Sequence, residues 1–172
     1  MINALASIAA AEALGIPARA IQEGIEALRA VPGRMERIEA GQKFMVLVDY
    51  AHDGVTIEAV LHAVREMAGG RKAKIIILLG AEGGGRDKKK RPVMGRVAAE
   101  FAVHVVISNV DSYNDDPVQI MEDIARAAES AGKRRGTNLF VFPDRREGIR
   151  KALSLARRGD IVLITGKGAE QS

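Results

Sequence analysis

The chain contains no cysteine and no tryptophan, and it is poor in aromatic residues. Without cysteine among its 172 residues, disulfides and thiolate metal sites are excluded, which fits a reducing compartment. Aromatic residues make up 3% of a chain that is 47% hydrophobic, so the core must be built from Ala, Val, Ile and Leu. Helix-covered parallel sheets commonly have such cores. No apolar run is long enough to span a bilayer, and no signal peptide is visible, so we expect no membrane partner.

The charge balance is mildly basic and permits anionic partners. The net charge is +4 and the pI is about 9.6, which suits nucleotide phosphates and small anions as well as nucleic acid. The densest basic run, Lys88–Arg91, lacks the interleaved aromatic residues that bind single strands. Such a run is typical of a solvated face, and we therefore expect no nucleic-acid partner.

The first residues predict a short helical segment that is separate from the rest of the chain. Asn3–Leu14 is rich in alanine, and Pro17–Leu28 begins with a residue suited to a first helical turn. Val31–Gly33 breaks the pattern. We place a domain boundary there, which gives domains at residues 1–31 and 32–172.

Beyond the boundary, strand and helix patterns alternate, which predicts an α/β fold. Helices are expected at about residues 54–68, 92–101, 117–131 and 144–156. About six strands are expected, of which the first two would form an edge hairpin: Arg34–Ala40, Lys43–Asp49, Lys74–Gly80, Val103–Ser108, Leu139–Phe142 and Ile161–Thr165. The alternation favours a Rossmann-like, doubly wound, mostly parallel sheet, preceded by the short helical segment.

Polar residues follow four of these strands, and parallel strands deliver such residues to one functional edge. After the second strand, Asp49 could accept hydrogen bonds from ribose hydroxyls, and neutral His52 could orient a phosphate or base. The alternative is a helix N-cap network made by Asp49 or Asp53.

Two further strand ends carry glycine-rich or acidic loops. In Gly83–Asp87, the glycines permit close approach of a ligand, and Arg86 could grip a carboxylate or phosphate; the alternative is a flexible turn. Neither the Walker loop nor the dinucleotide fingerprint occurs. The loop at 109–116 holds carboxylates that suit a hard cation, or it is a capped loop before the helix at Pro117.

The last strand runs into Gly166–Glu170. There Lys167 could meet an anion and Glu170 an ammonium group, and a frayed terminal loop is the alternative. The chain shows no Ser/His/Asp or Cys/His arrangement, and its three histidines lack the spacing of zinc ligands. We therefore predict neither a catalytic residue nor a metal site within the chain.

Taken together, these motifs resemble the C-terminal domain of the Mur ligases. Six segments, which span nearly the whole chain, match the family's motifs in the family's order: Asn3–Ala6, Val31–Glu36, Val48–His52, Gly85–Gly95, Asp144–Ala152 and Gly166–Gln171. The first resembles the end of the family's central ATPase domain, and the others resemble its C-terminal domain. Residues 1–31 would then be the helical tail of that central domain.

The resemblance implies an enzyme that forms an amide bond with ATP. In this family the γ-phosphate passes to the carboxylate of a UDP-N-acetylmuramoyl peptide, and the amine of an amino acid attacks the acyl phosphate. The motifs are most similar to those of members that add the third residue to UDP-N-acetylmuramoyl-dipeptide in peptidoglycan synthesis. Such enzymes are cytoplasmic and serve cell-wall formation, cell shape and division.

The implied cofactors are ATP and Mg²⁺, both held mainly by a central domain whose P-loop is missing from this chain. We therefore expect a fragment of a ligase that has no activity alone. By resemblance, Arg34 would meet the ATP phosphates and Asp49 the ribose, with His52 nearby. The amino acid would be held by residues of three loops: Arg86, Asp111, Tyr113, Gly166 and Glu170.

Several positions depart from the family pattern. Diaminopimelate-adding members carry D-N-P-R where this chain has Val110–Tyr113, so the arginine that would hold the distal carboxylate is missing. Lysine or another amino acid is at least as suitable a substrate as diaminopimelate, and Asp111 is a candidate partner for a side-chain amine. Asp53-Gly54 replaces Thr-Pro, and Ala169 replaces a histidine.

Two other interpretations remain open. One is a sibling amide ligase of the cyanophycin or folylpolyglutamate type. The other is a non-catalytic nucleotide-binding module that uses the same sheet.

Overall fold

The structure, a computed structural model, describes residues 2–28, 30–69, 73–85 and 87–168, and the chain divides into two compact units, Met1–Val31 and Pro32–Ser172. The first unit is a pair of helices, α1 (Ile2–Ala13) and α2 (Ala18–Ala27), close to the predicted bounds. Gly15 lies between them with φ +74°, a conformation that glycine adopts without strain. Among the described ranges, no helix is both long and apolar enough to cross a lipid bilayer.

The second unit is a six-stranded sheet with helices on its faces. Its strands are β1 (Glu36–Ile38), β2 (Met45–Asp49), β3 (Ile75–Leu79), β4 (His104–Ser108), β5 (Leu139–Phe142) and β6 (Ile161–Thr165). Its helices are α3 (Gly54–Met67), α4 (Lys90–Phe101), α5 (Pro117–Ser130) and α6 (Arg145–Leu155). The strand order is β1-β2-β6-β3-β4-β5; β1 and β2 form an antiparallel hairpin at one edge, and the other pairings are parallel. The predicted mostly parallel α/β fold is confirmed.

Hydrophobic runs explain which strands are central. Every residue of β3 and of β6 is buried, because helices cover both faces of a parallel sheet and leave no solvent-facing side. One core cluster lies between the sheet and α3, α4 and α5, and the other lies under α6. Phe101 is the one buried aromatic residue in the described part of the chain, so the core is built almost entirely from aliphatic side chains.

Aspartate caps begin three of these helices. Asp53 caps α3 through a reciprocal capping box with Thr56. Asp116 accepts a hydrogen bond from the backbone of Val118 at the start of α5, and Asp144 caps α6 in the same way. The N-cap interpretation of Asp53 and the capped-loop interpretation before Pro117 therefore describe what these residues do.

One prediction about the basic run is wrong. Lys88 and Lys89 are exposed, but Arg91 is only 2% exposed and forms ion pairs with Asp115 and Asp123, so the run is not a uniformly solvated face. The helix also begins at Lys90, earlier than the predicted start near residue 92. The two carboxylates compensate the guanidinium charge, which makes its burial possible.

Candidate functional site

The carboxyl ends of four neighbouring strands place the predicted site residues on one edge of the sheet. In the order β2-β6-β3-β4, the first strand ends at Asp49 and is followed by His52, and the others are followed by the β6 loop (residues 166–168), the β3 loop (residues 80–85 and 87–89) and the β4 loop (residues 109–116). We call this edge the carboxyl edge. Ligands bind at such edges in open α/β sheets. Arg86 and Glu170 lie outside the described residues.

Asp49 is buried where β2 reaches the carboxyl edge, at 7% exposure. One carboxylate oxygen accepts a hydrogen bond from the backbone N–H of Met35 at 2.9 Å, and the other accepts one from Ala51 at 2.8 Å. Met35 has φ +47°, a conformation that a non-glycine residue adopts at a cost. Asp49 therefore holds the turn that carries Arg34 against the end of β2.

An exposed arginine lies over an aromatic ring beside Asp49. The guanidinium carbon of Arg34 is 4.7 Å from the ring centre of Tyr50, a cation–π distance. His52 lies edge-on to the same ring, with centroids 5.2 Å apart, and its Nδ1 is 3.2 Å from the carbonyl oxygen of Tyr50. Arg34 is thus an exposed guanidinium that lies against an aromatic ring, and its planar fork matches the geometry of a phosphate or carboxylate.

The start of α3 gives a structural reason for the Asp53-Gly54 pair, which replaces the Thr-Pro of the family pattern. Burial alone would raise the pKa of Asp53, but hydrogen bonds from the backbone and hydroxyl of Thr56, with nearby His52, lower it. The cap therefore stays charged. A side chain at Gly54 would overlap Val93 of α4. The Asp53-Gly54 pair thus provides a cap and a close approach between two helices.

The β3 and β4 loops pack against each other through glycine. The backbone N–H of Gly83 donates to the carbonyl oxygen of Asp111 at 2.8 Å, and a side chain at Gly83 would overlap the carbonyl oxygen of Ser112. Gly84, with φ +72°, lies against the ring of Tyr113, which a Cβ would meet at 3.0 Å. Gly83 therefore permits close approach of the two loop backbones, and Gly84 permits contact with the ring of Tyr113.

An ion pair links the β4 and β6 loops. Lys167 Nζ lies 3.1 Å from Asp111 Oδ1, and the two side chains are 31% and 43% exposed. Asp111, proposed from sequence as the partner of a substrate amine, therefore already pairs with an amine of its own chain. Gly166, with φ +91°, is buried beside the carbonyl oxygen of Gly80. Tyr113 is 63% exposed at the same edge.

The acidic β4 loop does not assemble a cation site in the described structure. Within the described ranges there is no group of three or more His, Asp or Glu side chains that could hold a metal ion. Each of the loop's three aspartates has a protein partner: Lys167 for Asp111, Arg91 for Asp115, and the backbone of α5 for Asp116.

Sequence reasoning missed two arginines that join separate segments near the carboxyl edge. Arg91 joins the β4 loop to α5. Arg145 donates to the carbonyl oxygen of Thr165 at 2.8 Å and, at 3.4 Å, to the hydroxyl of Ser108, so it links the ends of β6 and β4. Helical periodicity could have found Arg91, because it shares a face with the buried residues Met94 and Ala98.

Comparison with known proteins gives a consistent family assignment. The family described as Mur ligase, glutamate ligase domain, matches residues 33–168. The UDP-N-acetylmuramyl-tripeptide synthetase of Roseiflexus sp. (strain RS-1) is 42% identical over 170 residues, which are 99% of this chain and 33% of that protein. The UDP-N-acetylmuramoyl-L-alanyl-D-glutamate--2,6-diaminopimelate ligase of Syntrophomonas wolfei is 40% identical over 168 residues, 98% of this chain and 33% of that protein.

Solved structures agree with these relatives. A structure of a UDP-N-acetylmuramoyl-L-alanyl-D-glutamate--2,6-diaminopimelate ligase has a TM-score of 0.65 and 32% identity, covering 95% of this chain and 32% of that one. A bifunctional folylpolyglutamate synthase/dihydrofolate synthase from Yersinia pestis has a TM-score of 0.64 at 15% identity and covers 88% of this chain and 32% of that one, which shows a shared fold only.

The chain spans about a third of the length of the curated relatives it matches. The match extends over both the fold and the motifs of the carboxyl edge, and the family prediction made from the sequence is confirmed. The chain belongs to the Mur ligase family, and residues 33–168 match that family's glutamate ligase domain.

Proposed function

We propose that this chain is the C-terminal part of an ATP-dependent ligase that adds the third amino acid to UDP-N-acetylmuramoyl-dipeptide. The observation that carries the proposal is the layout of the carboxyl edge. Of the residues predicted to bind ATP, Arg34 precedes β2, Asp49 ends it and His52 follows it. Of those predicted to bind the amino acid, Gly166 follows the adjacent strand β6, and Asp111 and Tyr113 follow β4 on the same sheet edge. Such an edge can present an amine next to a phosphate donor, and proximity of reactants is a large part of catalysis.

At the nucleotide end, we assign Arg34 to the ATP phosphates, Asp49 to the ribose and His52 to a neighbouring contact. The exposed guanidinium of Arg34 fits a phosphate. Each carboxylate oxygen of Asp49 accepts one backbone hydrogen bond and retains a lone pair for a hydroxyl. ATP with Mg²⁺ supplies the phosphoryl group that activates the carboxylate, and we assign the metal to a central domain rather than to this chain.

At the amino-acid end, we assign Gly166, Asp111 and Tyr113, together with Arg86 and Glu170, to the incoming amino acid. Tyr113 stands where diaminopimelate-adding members have an arginine, and Asp111 is neutralised by Lys167. This end therefore lacks a free cation for a distal carboxylate among its described residues. That composition favours lysine or another amino acid without a second carboxylate over diaminopimelate.

The rest of the proposal concerns the whole protein. Residues 1–31 form the helical tail of a central ATPase domain, and residues 32–172 form the C-terminal domain. The enzyme works in the cytoplasm, where UDP-linked precursors of the cell wall are made, and thereby serves cell shape and division. The 172-residue chain alone has no ligase activity, because it lacks a P-loop.

The test is phosphate release by the full-length protein with ATP, Mg²⁺ and UDP-N-acetylmuramoyl-dipeptide against a panel of meso-diaminopimelate, lysine and ornithine. We expect amino-acid-dependent release, with diaminopimelate a poorer substrate than lysine or ornithine. The 172-residue chain is the control and should give none.

Three outcomes would contradict parts of this proposal. Turnover by the isolated chain would refute its inactivity. Release with glutamate and a folate, but not with the muramoyl peptide, would assign a sibling ligase. Nucleotide binding without release under any condition would assign the non-catalytic module.

A further inference from the structure

Arg91 is a buried cation with partners on two elements. Its Nη2 donates to Asp115 Oδ2 and its Nη1 to Asp123 Oδ2, both at 3.1 Å, while the guanidinium side chain is only 2% exposed. Its Nε is buried and has no hydrogen-bond partner within the described ranges. Asp115 belongs to the β4 loop and Asp123 to α5, so one guanidinium joins a loop to a helix.

The two carboxylates differ in what else holds them. Asp123 is anchored on α5, where its Oδ1 also accepts a hydrogen bond from Gln119 at 2.6 Å. The backbone N–H of Asp115 donates to the carbonyl oxygen of Ser112 at 3.0 Å and closes the turn that contains Tyr113. Tyr113 has φ +49°, which requires support from its surroundings. A displacement of Asp115 therefore displaces this turn.

The same turn is pressed against the β3 loop. Besides the carbonyl oxygen of Ser112, a Cβ at Gly83 would meet Asp115 Cβ at 2.8 Å. Arg91 lies just beyond the β3 loop, in the first turn of α4. The β3 and β4 loops are thus joined directly by their backbones and indirectly through Arg91.

We propose that Arg91 is a positioning residue for amino-acid selection: through Asp115 it fixes the β4 loop, and with it Asp111 and Tyr113, against the β3 loop. The inference rests on the proposed binding of the amino acid at these loops. A guanidinium can reach two carboxylates at once, whereas the ammonium of lysine is a compact point charge. Replacement of Arg91 by lysine keeps the charge but loses the bridge.

The kinetic test uses Arg91→Lys and Asp115→Asn in the full-length ligase, with Arg96→Lys as the matched control because Arg96 is exposed on the same helix. We expect both test variants to raise KM for the amino acid at least tenfold, with KM for ATP within twofold of wild type. The control should change neither constant. The double variant Arg91→Lys/Asp115→Asn should be no worse than the poorer single variant, because both act through one contact.

Parallel rises in both KM values, together with a lower melting temperature, would overturn the proposal and leave Arg91 a general stabiliser of the fold. An unchanged KM for the amino acid would overturn it as well.

Hydrogen exchange on the 172-residue chain gives an answer that does not depend on ligase activity. Arg91→Lys should speed exchange at the amides of Gly83 and Asp115, which donate to Asp111 and Ser112, but not at the amide of Ala51, which donates to Asp49. Unchanged exchange at Gly83 and Asp115 would refute the positioning role. A wild-type ligase that is inactive with every amino acid would refute the proposed function instead, whatever the exchange result.

Discussion

Asp49 has a structural role at the carboxyl edge, where we also propose that it contacts the ribose of ATP. Its two oxygens accept backbone hydrogen bonds from Met35 and Ala51, so Asp49→Asn replaces one acceptor with a donor that faces another donor. We expect the variant to lose about 1.5–3 kcal/mol of unfolding free energy, the usual range for a hydrogen bond to a charged group. Urea unfolding of the chain measures the loss.

The matched control is Asp144→Asn, at the exposed N-cap of α6, where asparagine caps about as well as aspartate. Its expected loss is below about 0.5 kcal/mol. Equal losses in the two variants would show that Asp49 does not hold the turn before β1.

His104 is expected to make stability depend on pH. Burial is the largest cause that lowers the pKa of His104 below the usual 6.5. The charges of Lys133, Lys74 and Lys151 lower it further, and the carboxylate of Asp160 opposes them. The Nδ1 of His104 is also buried without a hydrogen-bond partner in the described part of the chain. The unfolded chain therefore binds a proton at His104 more readily than the folded chain does.

Because the folded pKa is depressed, this histidine costs no stability well above pH 6.5 and lowers stability as the pH falls below 6.5. The His104→Phe variant lacks this source of pH dependence. Its free energy of unfolding, relative to that of the wild type, should therefore increase when the pH is lowered from about 7 to about 5. His52 and His62 remain in both proteins and cancel. Parallel pH profiles would contradict the prediction.

At the scale of elements, α4 and α5 approach each other closely at a glycine. A Cβ at Gly95 would overlap the carbonyl oxygen of Ile124 on α5. Alanine is a better helix former than glycine by about 1 kcal/mol, but overpacking costs about 1–3 kcal/mol. We expect the steric cost to win, so Gly95→Ala should lower the free energy of unfolding measured in urea.

Gly24 supplies the contrast, because it also lies within a helix, α2, but a Cβ there would meet no atom within 4 Å apart from the neighbouring backbone of its own helix. Gly24→Ala should increase helical circular dichroism without destabilising the chain. A Gly95→Ala variant as stable as wild type would mean that the two helices can move apart at little cost.

The elements themselves were largely predictable from the sequence, but their order in the sheet was not. The predicted bounds of β3, β6, α3 and α5 each lie within one residue of the observed ones. Nothing local to the last strand indicates that it lies between β2 and β3, because that position depends on the path of the whole chain.

The same limit explains which contacts of the site were missed. Asp111 and Lys167 are 56 residues apart, and Arg91 and Asp115 are 24 apart. The first pair joins the segments after β4 and β6, which lie on either side of β3, and the second joins the segments after the adjacent strands β3 and β4. Family motifs placed the individual residues on loops, but the folded structure is needed to show that Asp111 pairs with Lys167 and that Arg91 pairs with Asp115.

At the scale of the molecule, residues 32–172 contain a complete core. Both hydrophobic clusters consist entirely of residues from this unit, between Met35 and Ile164, and the sheet with all six strands also lies within it. A domain folds by itself when its apolar surface is buried within it. Residues 1–31 form their own compact unit, whose helix α2 has no buried residue.

We therefore expect a chain that starts at Pro32 to fold and to unfold in one cooperative transition. Its unfolding free energy should lie within about 1 kcal/mol of the value for the main transition of the 172-residue chain, since no described residue of the deleted segment belongs to either hydrophobic cluster. Urea unfolding monitored by circular dichroism makes the comparison, with Asp49→Asn in both chains as a check that the same transition is observed. A loss of several kcal/mol, or a shortened chain that does not fold, would show that the helical segment is part of the folding unit and not the end of a separate domain.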